Sequence, residues 1–198
     1  QNFKNNLAGH LRISIVSTGN YIMPYFLSDF LKKNVNIDLT MDVTNKSKVI
    51  QSLLDNEIDF ALVSILPDDI QVEKFNLIPN ELYLVGNKEV GPEIKIEEQL
   101  ASTPFIFREK GSGTRQTMES FIAGNNISVL KKMELTSNEA VKQSVLAGLG
   151  VSIMPLIGIK NELLTCQLKI IPIYLILIII GSFVAYKINS KPLFYIFS

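Results

Sequence analysis

Apolar residues along this chain switch repeatedly between a spacing of two and a spacing of three to four. From Leu11 to Val16 (LRISIV) Leu11, Ile13 and Ile15 alternate in a short β-branched run, which predicts a strand. Ser17-Thr18-Gly19-Asn20 follows as turn and cap chemistry, with Pro24 placed where a first helical turn tolerates it. Ile22, Met23, Phe26, Leu27 and Phe30 then recur at helical spacing as far as Lys32-Lys33. A second unit repeats the order. Ile37, Leu39, Met41 and Val43 alternate, Thr44-Asn45-Lys46-Ser47 supplies caps, and Val49, Ile50, Leu53 and Leu54 form a stripe. Phe60 to Val63 is an apolar run suited to a buried parallel strand, ending at Ser64.

The pattern resumes with strands predicted over Glu81 to Gly86, Phe105 to Phe107 and Met133 to Leu135, and over Val151 to Met154, stopped by Pro155. Between them lie a helix carrying Met118, Phe121 and Ile122 and another carrying Val141, Val145, Leu146 and Leu149. Alternating β and α elements predict an α/β protein with parallel sheets covered by helices. The polar stretches near Asn76–Glu81 and Glu162–Lys169 divide the series into two Rossmann-like lobes, the second inserted into the first.

Composition narrows the function. Among 198 residues, 19 Lys and Arg balance 19 Asp and Glu, and only three of the cations are arginine. A domain that grips nucleic acid by itself is usually basic, so DNA contact is not expected of this chain alone. One cysteine, Cys166, excludes an internal disulfide framework and a thiolate zinc site, and is expected to be a small packing residue. One histidine, His10, leaves little for histidine-based acid–base chemistry. No metal, cofactor or catalytic group is expected, and the chain is not read as an enzyme.

In open parallel sheets ligands bind beyond the carboxyl ends of the strands, where helix N-termini offer N–H donors to anions. Those turns are rich here in small hydroxyl, amide and glycine residues. They are Ser17, Thr18 and Asn20; Thr44 and Asn45; Ser64; Gly111, Ser112, Gly113 and Thr114; and Asn138. Such residues suit a small polar or carboxylated metabolite, and each also serves as an ordinary cap. Arg108 and Arg115 flank the glycine turn and could meet a ligand carboxylate or pair with Glu109 and Glu119.

Four blocks carry a resemblance: GHLRISIVSTGNYIMPYFLSDFLKK, DNEIDFALVS, FREKGSGTRQTMESFI and SNEAVKQSVLAGLGVSIMP. In order and spacing they resemble the effector-binding domain of LysR-type transcriptional regulators, over roughly residues 8 to 173. The resemblance implies the two-lobed type 2 periplasmic-binding-protein fold. Residues 8–81 would begin lobe one, 82–168 form lobe two, and 169–173 return to lobe one. It places an inducer cleft at Ser17, Thr18, Thr44, Ser64, Gly113, Thr114, Asn138 and Pro155. It further implies a cytoplasmic homodimer or tetramer, a small-molecule effector, and DNA contact through an N-terminal winged helix-turn-helix absent from this chain. A transport solute-binding protein shares the fold and is the alternative, as is a membrane-anchored ligand-binding module.

Ile170 to Tyr186 reads IIPIYLILIIIGSFVAY, 17 residues without a charge, and no acidic residue follows Glu162. A helix of that length spans about 25 Å, slightly short of a bilayer core of about 30 Å. Residues 174–198 lack the strand and charged helix of the family. They are expected to be an atypical tail, either membrane-spanning or translated from a shifted reading frame; the abrupt end of the resemblance favours the second.

Overall fold

A computed structural model describes residues 7–64, 72–89, 102–129, 132–171 and 181–188, the last stretch by its backbone. It divides into two units, one of residues 1–78 and 182–198, the other of residues 79–181.

In the first unit, β1 (Ala8–Val16) leads through a single 3-10 turn (Ser17–Tyr21) into α1 (Met23–Lys33). Next come β2 (Asn36–Thr44), α2 (Lys46–Leu54) and β3 (Phe60–Val63). β1 lies between β2 and β3 and is parallel to both, with Val16 opposite Thr44 and Ile15 opposite Leu62. α2 lays Val49 and Leu53 on Ala61 and Val63. Leu54 of the predicted stripe instead faces solvent. Leu62 and Ile15 approach Gly19 so closely that a Cβ there would lie 2.5 Å from Leu62 Cδ2.

Two further strands complete this sheet in the order β2-β1-β3-β10-β4, with β4 at Val72–Asn80 and β10 at Gly181–Ile188. β4 runs through the polar stretch read as a divider. β10 is antiparallel to β3, pairing Val184 with Val63 and Tyr186 with Ala61. The boundary between the units, at 78/79, falls within the Asn76–Glu81 stretch read as the divider, although the periodicity predicts no strand there; the placement of β10 corrects the sequence reading. The return to the first unit is not made at 169–173, since β9 (Leu168–Ile170) pairs with a strand of the second unit. Nor do residues 170–186 form one membrane helix, because Ile170 and Gly181–Tyr186 are strand. Among the described residues no helix is long and apolar enough to cross a membrane. The cause is a β-branched, aromatic composition that suits a pleated strand, and a β3 edge that needs a hydrogen-bonding partner. Residues 172–180 and 189–198 of the predicted tail lie outside the described residues.

The second unit holds β5 (Leu82–Asn87), β6 (Phe105–Arg108), α3 (Gly113–Gly124), β7 (Lys132–Leu135), α4 (Asn138–Leu146), β8 (Ser152–Pro155), α5 (Lys160–Leu164) and β9. β6 and β7 are parallel, whereas β5 is antiparallel to β8 and β9, so the sheets are mixed rather than uniformly parallel. A bridge from Phe105 to Val151 links the β6–β7 pair to the start of β8. Alternation along these strands separates two cores. Phe105, Phe107, Leu84 and Ile153 meet Met118 and Phe121 of α3, while Ile106, Val85 and Met154 meet Val141 and Val145 of α4. Pro155, expected to stop β8, is its last residue and lies opposite Leu82. Cys166, expected inside, is exposed in the turn after α5 with φ of 55°.

The link into β8 depends on Gly150. A Cβ at this position would stand 2.3 Å from the Pro104 carbonyl oxygen, which also accepts the Val151 N–H at 3.0 Å. Backbone cannot step aside as a side-chain tip can. Gly150→Ala is therefore expected to cost about 1–3 kcal/mol of unfolding free energy, read by urea denaturation, while Gly124→Ala, with open space around it, changes little.

Candidate functional site

Three strands of the first unit end side by side, and the predicted residues of that half collect on their carboxyl edge. Ser17 follows β1, Thr44 closes β2, and Ser64 follows β3. The Ser17 hydroxyl donates to the Thr44 carbonyl at 3.3 Å, tying two of these ends together. Asn45 caps α2, its side-chain oxygen accepting from the Lys48 N–H at 3.1 Å. Thr18 is buried in the 3-10 turn and Asn20 is exposed on it. Parallel pairing in register is what assembles them: each strand leaves by the same edge, so each turn opens there.

In the second unit the FREKGSGTR segment makes the tightest turn. Gly111 has φ of 87°, a region that favours glycine. Ser112 is buried and its hydroxyl caps α3 by accepting from the Arg115 N–H at 3.5 Å. Gly113 and Thr114 are the first two residues of α3. Ser137 caps α4 by accepting from Ala140 N–H at 3.1 Å, which leaves Asn138 as the first helical residue, buried. Pro155 lies on the same carboxyl edge, held in the ladder to β5.

The two arginines divide. Arg115 is committed to packing: Nε bonds Glu119 at 2.8 Å, Nη1 bonds Glu134 at 2.5 Å and the Arg108 carbonyl at 2.9 Å, and its guanidinium lies over the Phe107 ring. The hydrogen bonds it donates to Glu134 and Glu119 raise its pKa above the ordinary arginine value. Arg108 is the residue the sequence reading under-weighted. It is buried at 4% exposure, bonds Asn138 Oδ1 through Nη1, and holds both oxygens of Glu109 at 2.8 and 2.9 Å. The available signal was parity in FIFR: Arg108 shares a strand face with Ile106, the face covered by α4.

The LysR substrate binding domain model matches residues 4–187. The chain belongs to that family. The match runs past residue 173, correcting the reading in which family character stops there. The RuBisCO operon transcriptional regulator of Allochromatium vinosum is 37% identical over 81% of this chain and 54% of its own length. The transcriptional activator CmpR of Synechocystis sp. is 32% identical over 78% of this chain and 52% of its own. The chain thus spans about half the length of the curated relatives it matches. The regulatory domain of Synechocystis CcmR, solved in complex with 2-PG, is 29% identical with a TM-score of 0.84, over 95% of this chain and 91% of that one. The fold is the periplasmic-binding-protein-like α/β architecture of these regulatory domains. Its relatives favour a regulator over a transport protein.

In this LysR domain α4, which supplies Asn138, is anchored one turn on by Lys142. The ammonium bonds Glu162 of α5 at 2.9 Å and Glu139 at 3.1 Å. Burial opposes the charge on Lys142, but the bonds to Glu162 and Glu139 outweigh it and hold its pKa above 10.5. Glu139 is held below 4.5, chiefly by its bond from Gln143 and also by Lys142. A raised lysine value stabilises the fold fully below pH 10.5 and loses that contribution as pH climbs through the folded value. A lowered carboxylate value stabilises above pH 4.5 and fades as pH falls through it. Lys142→Met should therefore lower unfolding free energy by about 1–2 kcal/mol at neutral pH. The gap to the unsubstituted protein should close above pH 10.5 and narrow below pH 4.5, as followed by chemical denaturation across pH.

Proposed function

We propose that this chain is the effector-sensing half of a LysR-type transcriptional regulator. It binds a small polar or anionic metabolite through the turns at the carboxyl ends of its parallel strands. The observation that carries the reading is the convergence of Ser17, Thr44, Asn45 and Ser64 on one sheet edge. Hydroxyls and helix N–H groups there suit an oxyanion. The second unit repeats the arrangement at Gly111–Thr114 and Asn138. The 2-PG bound to the CcmR regulatory domain makes that compound the first candidate.

The job is sensing rather than chemistry. The turns offer donors and caps, with His10 at the amino-terminal part of β1, its Nε2 3.0 Å from the Thr40 hydroxyl. A ligand that binds one arrangement of the protein better shifts the population toward it, by no more than its difference in affinity. DNA is reached through a winged helix-turn-helix N-terminal to this segment, in a cytoplasmic homodimer or tetramer. The neutral charge balance fits that division of labour.

Calorimetry of the 198-residue chain with 2-PG, inorganic phosphate, succinate and neutral glycerol tests this. Binding of an anion is expected, weakened about tenfold by Ser17→Ala and by Thr114→Val, each of which removes one hydroxyl bond to a charged group. Absence of binding across the anions, with the protein folded by circular dichroism, overturns the reading.

A further inference from the structure

We propose that Arg108 is the residue of the second unit that recognises the ligand's oxyanion, and that the Glu109 carboxylate occupies its fork as a built-in competitor that the ligand displaces. The proposal deepens the effector reading above and rests on it. Arg108 Nε donates to Glu109 Oε2 at 2.8 Å and Nη2 donates to Oε1 at 2.9 Å. Two parallel N–H···O bonds along one side of the guanidinium are the geometry a carboxylate or phosphate ligand would take. The third side is fixed by Asn138 Oδ1, thirty residues away, which holds the plane of the fork whatever occupies the other two donors.

Three features separate this contact from an ordinary structural ion pair. Glu109 is the next residue in the chain, so its bonds to Arg108 close no tertiary loop; Asn138 does that work. The guanidinium is 4% exposed while the Glu109 side chain is 16% exposed, so the carboxylate is the more solvent-accessible partner of the pair. The neighbouring arginine is by contrast locked by Glu119, Glu134 and the Arg108 carbonyl, which come from three different elements, whereas Glu109 can leave Arg108 by side-chain rotation. The glycine turn at Gly111 and the start of α3 follow Arg108 in the chain, and Asn138 opens α4.

An internal anion filling the fork for about nine-tenths of the time lowers the apparent affinity of an external one about tenfold. Glu109→Gln removes the competing charge, and Glu109→Asp keeps the charge but draws it back by one methylene. Calorimetry with 2-PG and inorganic phosphate is expected to show Kd about tenfold tighter for Glu109→Gln and tightened to a lesser degree for Glu109→Asp, with glycerol unaffected. The aspartate variant answers the question if the glutamine variant fails to fold. Anion binding by the unsubstituted chain that these variants leave unchanged or weaken overturns the competitor while the effector reading stands. No anion binding by the folded unsubstituted chain overturns the effector reading and the proposal that rests on it.

Discussion

Helix N-termini leave backbone N–H groups without intrahelical partners, and a parallel strand that feeds a helix delivers those groups to its own carboxyl edge. That constraint organises both units of this protein. Asn45, Ser112 and Ser137 each spend a side-chain oxygen on it, accepting from Lys48, Arg115 and Ala140. The same edges also carry the small groups Ser17, Thr44, Ser64 and Thr114, with the Ser17 hydroxyl donating to the Thr44 carbonyl. The ligand chemistry proposed for the domain draws on the same strand exits that capping organises.

The buried charges follow a related rule. A cation taken out of water needs partners for every donor, and the two arginines of the second unit solve this differently. Arg115 distributes its donors over β6, β7 and α3 and becomes part of the packing. Arg108 bonds a distant amide, Asn138, and the carboxylate of the adjacent Glu109. Lys142 does for α4 and α5 what Arg115 does for α3 and β7.

Much of this fold is legible in local patterning. The runs at Leu11–Val16, Phe60–Val63 and Phe105–Phe107 are short and β-branched or aromatic, and each became a strand; Ser137 and Asn45 sit directly before apolar helical stripes, and each became a cap. The misreadings share a different cause. Val72–Asn80 mixes polar residues with Pro79, which an edge strand tolerates, so its pattern predicts no strand, even though the Asn76–Glu81 stretch read as a divider does contain the unit boundary. Leu54 and Leu149 continue helical stripes but lie exposed, since helix α2 ends with Leu54 and α4 ends before Leu149. Cys166 is apolar in isolation, yet the turn it occupies has no interior side.

What the amino-acid order determined by itself was the kind of protein: alternating strand and helix periods, capping chemistry at the strand exits, a neutral charge balance, and four blocks shared with one family. These are properties of neighbouring residues, and neighbours act through local sterics and hydrogen bonding. What only tertiary structure decided was which distant residues share a side. The apolar run after Ile170 reads equally as a membrane helix or a strand, and the open edge of β3 resolves it for Gly181–Ile188. Arg108 reads equally as a surface charge or a ligand contact, and the position of Asn138 across the parallel β6–β7 pair decides that it is buried and held in a fixed plane.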